Sequence, residues 1–203
     1  MARADGLDDR SVDIRGLLPV GHANARETGN RLLAGLPRKD LRRFLDRCEE
    51  VKVSISEILF EPGQPIRHAY FPTDSFISLV IPADGHANLE VDLIGNEGMV
   101  GLPLVLGDGQ SPLRAQVQCT GASLRITAAA LRAELNAGTA LKKTLNRYAC
   151  LSLAQFAQMA ACNRFHDIDA RLAHWLLMTS DRARSDAFHM THEVLGQMLG
   201  VRR

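Results

Sequence analysis

The chain has 203 residues, of which 46% are hydrophobic and 23% charged, as is usual for a globular protein. This length suffices for one large domain, or for a medium domain together with a small one. The net charge of +1 argues against a strongly basic nucleic-acid-binding protein but is compatible with a local basic surface.

Four cysteines are scattered along the chain and form no CxxC pair. They are Cys48, Cys119, Cys150 and Cys162. We therefore expect neither a disulfide framework nor a zinc site, and a reducing cytoplasm is the predicted location. No apolar run follows the N-terminus, so no signal peptide is expected. The longest uncharged stretch, residues 148–163, is too short to span a membrane comfortably, so no membrane association is expected.

In chain order, residues 1–25 show little periodicity and predict a flexible tail. Pro37 then suits the first turn of a helix over LPRKDLRRFLDRCEEV. The apolar face of this predicted helix comprises Leu41, Phe44, Leu45 and Cys48.

From Val51 to Thr127 the periodicity is that of strands. Short segments rich in branched or aromatic residues, such as HAYFP, FISLVIP and ANLEVDLI, alternate with turn signals such as PGQP, PADG and GNEG. About seven or eight short strands in this length predict a sandwich or a jelly-roll barrel. Glu90 and Asp92 alternate with apolar residues, so we expect them on the solvent face of a strand.

Helical periodicity returns after Ile126. TAAALRAEL predicts a short helix, Gly138 interrupts it, and a long helix is predicted from about Thr139 to Asn163. The long helix carries no charge over residues 148–163, so it requires cover on more than one side. It is either the seam of a dimer or a core helix of a single chain.

The C-terminal residues predict a small helical module. Asp167 caps a helix. Its predicted apolar face comprises Ile168, Leu172, Trp175 and Leu176. The stretch MTHEVLGQMLGVRR (190–203) then gives a short helix, a Gly-containing turn and the start of a second helix that opens with arginine. This is the outline of a DNA-binding helix-turn-helix whose second helix has barely begun.

The order of these elements resembles the Crp/Fnr family of bacterial transcription regulators. Three segments carry the resemblance: EPGQPIRHAYFPTDSFISL (61–79), GNEGMVGLPLVLGDGQSPLRAQV (95–117) and THEVLGQMLGVRR (191–203). The resemblance implies an α+β chain with a jelly-roll sensor domain over residues 26–137, a dimerisation helix over 138–164 and a helix-turn-helix module over 165–203. It also implies a symmetric homodimer on DNA, in which an effector at the jelly-roll resets the helix-turn-helix.

The same resemblance places an effector pocket in the second segment. Its predicted residues are Gly98, Val100, Gly101, Leu102, Pro103, Leu104, Arg114 and Ala115. In cyclic-nucleotide-binding members, a Gly-Glu pair holds the ribose and an Arg-Ser/Thr-Ala run holds the phosphate. Here Leu102 follows Gly101 and cannot accept a hydrogen bond from a ribose hydroxyl. If Ala115 matches the family's Ala, Arg114 stands one residue late, which turns it to the opposite face of a strand. A shift in loop length would restore its position. We therefore expect no cyclic nucleotide.

The glycines of GMVGLPLVLGDGQ leave two interpretations open. They could bring backbone N–H groups near an anion. They could equally be turn and bulge residues of a tight barrel.

The resemblance to the Crp/Fnr family assigns DNA contact to four residues, which are Thr191, His192, Arg202 and Arg203. Thr191 and His192 stand at phosphate-contacting positions. Arg202 and Arg203 could also be solvated charges at a chain end. Most of the recognition helix is missing after Arg203, so we expect a truncated form of a longer regulator that does not read DNA by itself.

The same resemblance assigns the dimer seam to the long helix. Its predicted residues are Leu141, Leu145, Tyr148, Ser152, Phe156 and Met159.

Other chemistries find little support in the sequence. No cysteine precedes position 48, so we expect no iron–sulfur cluster of the kind held by N-terminal cysteines. His68 and His86 have no HxH pair with a following Glu, so surface or hydrogen-bonded roles are expected, with no metal site. No nucleophile–base pair or catalytic acid pair is apparent, so we expect no enzyme.

Two functional hypotheses follow. The first is a Crp/Fnr-type transcription regulator in which a jelly-roll sensor controls a helix-turn-helix. The alternative is a ligand-sensing or partner-binding module that dimerises without reading DNA itself. A cupin-like enzyme is a distant third, which stoichiometric metal in the purified protein would support.

Overall fold

The fold was obtained as a computed structural model, which describes residues 28–82 and 88–183, together with Gly196. Within this part of the chain, no helix combines the length and apolar character needed to cross a bilayer.

Seven strands are found in the described residues. They are β1 (Glu49–Val53), β2 (Ile58–Phe60), β3 (His68–Pro72), β4 (Phe76–Ile81), β5 (Leu89–Ile94), β6 (Arg114–Cys119) and β7 (Gly121–Thr127). All pair in antiparallel fashion. One sheet has the order β1-β7-β3 and the other the order β2-β6-β4-β5. The mixture of antiparallel sheets and helices confirms the predicted α+β class, with a jelly-roll sandwich as its β part.

Helices flank the sandwich, and the four longer ones lie in the order that the sequence predicted. They are α1 (Arg31–Ala34), α2 (Arg38–Leu45), α3 (Pro103–Leu106), α4 (Ala128–Ala137), α5 (Thr139–Phe165) and α6 (Ile168–Ala183). Local capping explains two of the starts. Thr127 accepts a hydrogen bond from Ala130 N at 3.2 Å, and Asp167 accepts one from Ala170 N at 2.9 Å.

Two predictions about helix extent and orientation were wrong. Helix α2 ends at Leu45, because the chain turns there to enter β1, so Cys48 lies in the turn and packs on the core edge. In α6, Trp175 is buried, but Ile168 and Leu176 of the predicted apolar face are 43% and 38% exposed. An apolar period identifies one face of a helix but does not show how much of that face is covered.

The hydrophobic core lies between the two sheets and extends under α2, α4 and the first half of α5. Phe44 of α2 and Phe71 of β3 meet edge to face, with ring centroids 5.3 Å apart. Both side chains are almost completely buried. This contact fixes the N-terminal helix to the jelly-roll.

The segment before α1 is tied to the turn that follows β5. The buried Asn30 side-chain amide donates to Pro72 O at 2.9 Å and to Gly98 O at 3.0 Å, while its Oδ1 accepts from Leu33 N. One side chain therefore caps α1 and satisfies two buried carbonyls.

We expect Phe71→Ala to lower the free energy of unfolding by about 3–5 kcal/mol, because it leaves a cavity against Phe44. Urea unfolding followed by circular dichroism measures the loss. Ile55→Ala is the matched control, because Ile55 is 60% exposed. Equal losses for the two variants would contradict the assigned core.

Candidate functional site

A cavity of about 150 Å³ lies between the jelly-roll, α3 and α5. Its wall is largely apolar. The lining residues are Phe60, Leu79, Asp92, Ile94, Met99, Gly101, Leu102, Pro103, Leu106, Ser111, Pro112, Leu113, Tyr148, Ala149, Ser152, Leu153 and Phe156. Leu106 and Leu153 are 66% and 64% exposed, so they mark the side on which the cavity approaches solvent.

Most polar side chains in this wall already have partners. Ser111 Oγ donates to Leu113 O at 2.8 Å and accepts from Leu113 N. Tyr148 donates its hydroxyl proton to Met99 O at 3.3 Å, and burial raises the pKa of this phenol. Asp92 differs, because the described residues give its carboxylate a single hydrogen bond, from Leu93 N to Oδ1 at 2.9 Å.

The structure brings three of the eight predicted pocket residues to the cavity wall, namely Gly101, Leu102 and Pro103. Val100, Leu104 and Ala115 are instead buried in the core. Gly98 lies under α5, where it meets Tyr148.

Arg114 also lies away from the cavity. Its Nε donates to Glu61 Oε2 at 2.8 Å, whereas its neighbour Leu113 lines the cavity. Arg114 is the first residue of β6, where it alternates with the fully buried Ala115, so its side chain points to the other face of the strand. The guanidinium that would neutralise a phosphate therefore points outward.

The glycines of the turn after β5 act by their lack of a side chain. A Cβ on Gly98 would collide with the hydroxyl oxygen of Tyr148 in α5. A Cβ on Gly95 would lie 2.9 Å from Cγ of Arg182 in α6. Gly101 has φ of +101°, and a Cβ there would lie 3.3 Å from Cα of Ala69. At these three positions, close packing explains the glycine.

Three carboxylates are buried on and just after β5, which corrects the prediction that Glu90 and Asp92 face solvent. Glu90, Asp92 and Glu97 are 3%, 6% and 5% exposed. The alternation along β5 is real, but α5 and α6 cover the face that carries the acids. Sequence alternation separates two faces of a strand and does not reveal a second layer over the polar one.

Helix α6 supplies the partners of this buried acidic cluster. Trp175 Nε1 donates to Glu90 Oε1 at 2.7 Å, and Ser78 Oγ donates to Glu90 Oε2. Arg182 pairs with Glu97 Oε1 at 2.8 Å, and both side chains are nearly buried. A smaller cavity of about 30 Å³ lies here, lined in part by Glu90, Asp92 and Trp175. Asp92 thus lines both cavities.

Burial dominates the acid–base properties of these carboxyls. It raises the pKa of Glu90 to about 7, against the opposing hydrogen bonds from Ser78 and Trp175. It raises the pKa of Asp92 to about 6, although the Arg182 charge acts in the opposite direction.

The predicted dimer-seam residues divide between two environments. Leu141, Leu145, Tyr148 and Ser152 are buried within the chain itself, and Phe156 and Met159 are half-buried. The exposed face of α5 is a different one. It carries Cys150, Leu153, Ala154, Ala157 and Ala160.

The remaining predicted site residues add little to the cavity. His68 is in β3, and burial lowers the pKa of its imidazole. Among the residues that the structure describes, no group of three or more His, Cys, Asp or Glu side chains could hold a metal ion. His86, Thr191, His192, Arg202 and Arg203 lie outside the described residues.

The stability of the fold should fall as the pH rises through the range in which Glu90 ionises. The folded chain keeps a proton on Glu90 that the unfolded chain releases near the ordinary pKa of 4.5, so this contribution is lost between pH 4.5 and about 7. Glu90→Gln cannot ionise and keeps an oxygen for Trp175. Its unfolding midpoint should therefore change less between about pH 5 and about pH 7.5.

Thermal unfolding across this pH range checks the expectation. Glu50→Gln, at an exposed position of β1, is the control and should follow the wild type. If Glu90→Gln and the wild type show the same pH dependence, Glu90 is not the buried acid described above.

Comparison with known proteins supports the architecture. Neither protein-family models nor curated protein sequences give a match. Several solved structures do match the chain in fold. The c-di-GMP-responsive global regulator CLP of Xanthomonas campestris has a TM-score of 0.63 and 16% identity, covering 82% of this chain and 86% of its own.

Two further solved structures match the chain in fold. A Crp/Fnr-family regulator from Eubacterium rectale has a TM-score of 0.70 and 13% identity, covering 86% of this chain and 82% of its own. FixK2 of Bradyrhizobium japonicum has a TM-score of 0.66 and 13% identity, covering 76% of this chain and 78% of its own. The chain therefore has the cyclic-nucleotide-binding-like fold of Crp/Fnr-family transcription regulators.

Proposed function

We propose that the chain is the sensor and dimerisation part of a Crp/Fnr-type transcription regulator. It acts in the cytoplasm and has no catalytic role. The support is its fold, which it shares with structures described as transcription regulators. DNA binding belongs to the helix-turn-helix module predicted for residues 165–203, which begins with α6.

The single observation that carries this proposal is that the cavity and α6 both contact strand β5. Asp92 of this strand lines the 150 Å³ cavity, while Glu90 two residues earlier accepts the hydrogen bond from Trp175 of α6. An effector in the cavity would therefore contact the strand that holds α6. A sensor needs this kind of connection, since a ligand shifts an equilibrium only through contacts that differ between two states.

In the proposed mechanism, the turn at residues 95–98 transmits the effector signal. This turn seats Tyr148 of α5 over Gly98 and Arg182 of α6 over Gly95. It continues directly into Met99 and Gly101, which line the cavity. A change at the cavity wall thus alters the seats of both helices, and α6 carries the change toward the DNA-binding module.

Cyclic nucleotides are not the effectors we propose. A cyclic phosphate needs a cationic partner, and Arg114 is paired with Glu61 away from the cavity. Leu102 lines the wall at the position where a ribose-binding carboxylate would be required.

The proposed dimer seam is the exposed face of α5, in place of the residues first predicted. Cys150, Ala154 and Ala157 recur there at helical spacing beside Leu153. Small side chains allow two helices to approach closely, and such an apolar strip is more stable when a second copy covers it.

A gel-shift assay on the protein purified from its own cells tests the proposed DNA binding. Genomic fragments selected by the protein should be retained in preference to shuffled fragments of the same composition. Absence of any preference would overturn the regulator proposal and favour the alternative, a sensing module that dimerises without reading DNA.

We expect Ala157→Glu to convert the dimer to monomer, because it places a charge on each copy at the centre of the seam. Sedimentation velocity at micromolar concentration measures the change. Gln64→Glu, at an exposed turn of the jelly-roll, adds the same charge elsewhere and should stay dimeric. If Ala157→Glu remains dimeric, the seam lies on another surface.

A further inference from the structure

We propose that the 150 Å³ cavity binds a small aromatic molecule that carries a hydrogen-bond donor and no negative charge, with Asp92 as the acceptor. This inference rests on the proposed function only in treating the cavity as an effector site. The ligand class follows from the size of the cavity, its apolar wall and the position of one carboxylate.

The volume and lining set the size and shape of the ligand. An engineered apolar cavity of about 150 Å³ binds benzene, so a single aromatic ring fits this space. Side chains such as Phe60, Met99, Leu113 and Phe156 supply an apolar surface around such a ring. A thioether and aromatic edges are favourable neighbours for it.

Asp92 supplies the polar contact. Asp92 is 6% exposed, and the described residues give its carboxylate one hydrogen bond, to Oδ1. Oδ2 receives none from them and is not fully buried, so a ligand O–H or N–H directed at it can form a charge-assisted hydrogen bond.

The charges around the wall exclude an anionic ligand. The lining residues of the described chain include no Arg, Lys or His. Glu90 and Glu97 lie near Asp92, and the nearby cation, Arg182, is already paired with Glu97. A carboxylate or phosphate on the ligand would therefore meet like charge in an apolar surrounding.

The test uses five probes on the full chain: phenol, aniline, toluene, benzoate and cyclic AMP. Isothermal titration calorimetry should give dissociation constants in roughly the micromolar to millimolar range for phenol and aniline, as expected for molecules this small. Benzoate and cyclic AMP should not bind in this range. Binding of benzoate or cyclic AMP more tightly than phenol would overturn the proposal, as would no binding of phenol and aniline.

Two substitutions locate the site. Asp92→Leu should weaken phenol binding roughly tenfold or more, because it removes a charged acceptor, and leave toluene binding unchanged or tighter. Ala149→Met should fill part of the cavity and abolish phenol binding, whereas Asn146→Met, at an exposed position of the same helix outside the proposed seam, should not. Circular dichroism confirms that each variant is folded before titration.

These measurements are separate from the DNA-binding assay. If Asp92→Leu weakens phenol and toluene equally, Asp92 is not the acceptor and the ligand class is wrong, whatever the gel shift shows. If phenol binds as expected and no DNA preference is found, the ligand site stands and the regulator proposal fails.

Discussion

The burial of three carboxylates along one short stretch organises the functional half of this molecule. Glu90, Asp92 and Glu97 can be buried only because α5 and α6 cover them, and α6 is held in place by the contacts that satisfy them. Removing either partner of the Arg182–Glu97 ion pair would leave an uncompensated buried charge, so this contact couples the position of α6 to the turn after β5.

The same stretch explains why glycine recurs after β5. Gly95 and Gly98 leave room for Arg182 and Tyr148, so two helices that follow the jelly-roll rest on one turn. This turn borders the larger cavity through Met99 and Gly101. In the proposed mechanism, sensing and output would share a few adjacent residues, and no long pathway between distant sites is required.

The larger cavity has an apolar wall, with no Arg, Lys or His among its described lining residues. Leu113 lies in this wall, whereas Arg114, the first residue of β6, lies outside it in an ion pair with Glu61. Two adjacent residues of the chain thus place an apolar side chain at the cavity and a cation away from it.

The sequence by itself determined the order and type of the elements, because strand and helix periods, the Thr127 and Asp167 caps and the Gly138 break are local signals. It also indicated that Arg114 would be turned away. Only the tertiary structure decided that Glu90 and Asp92 are buried, and that Tyr148 and Ser152 line a cavity. The tertiary structure also decided which face of α5 is exposed. The reason is that these properties depend on which elements, distant in the sequence, cover a given face, and periodicity along one element carries no information about its neighbours.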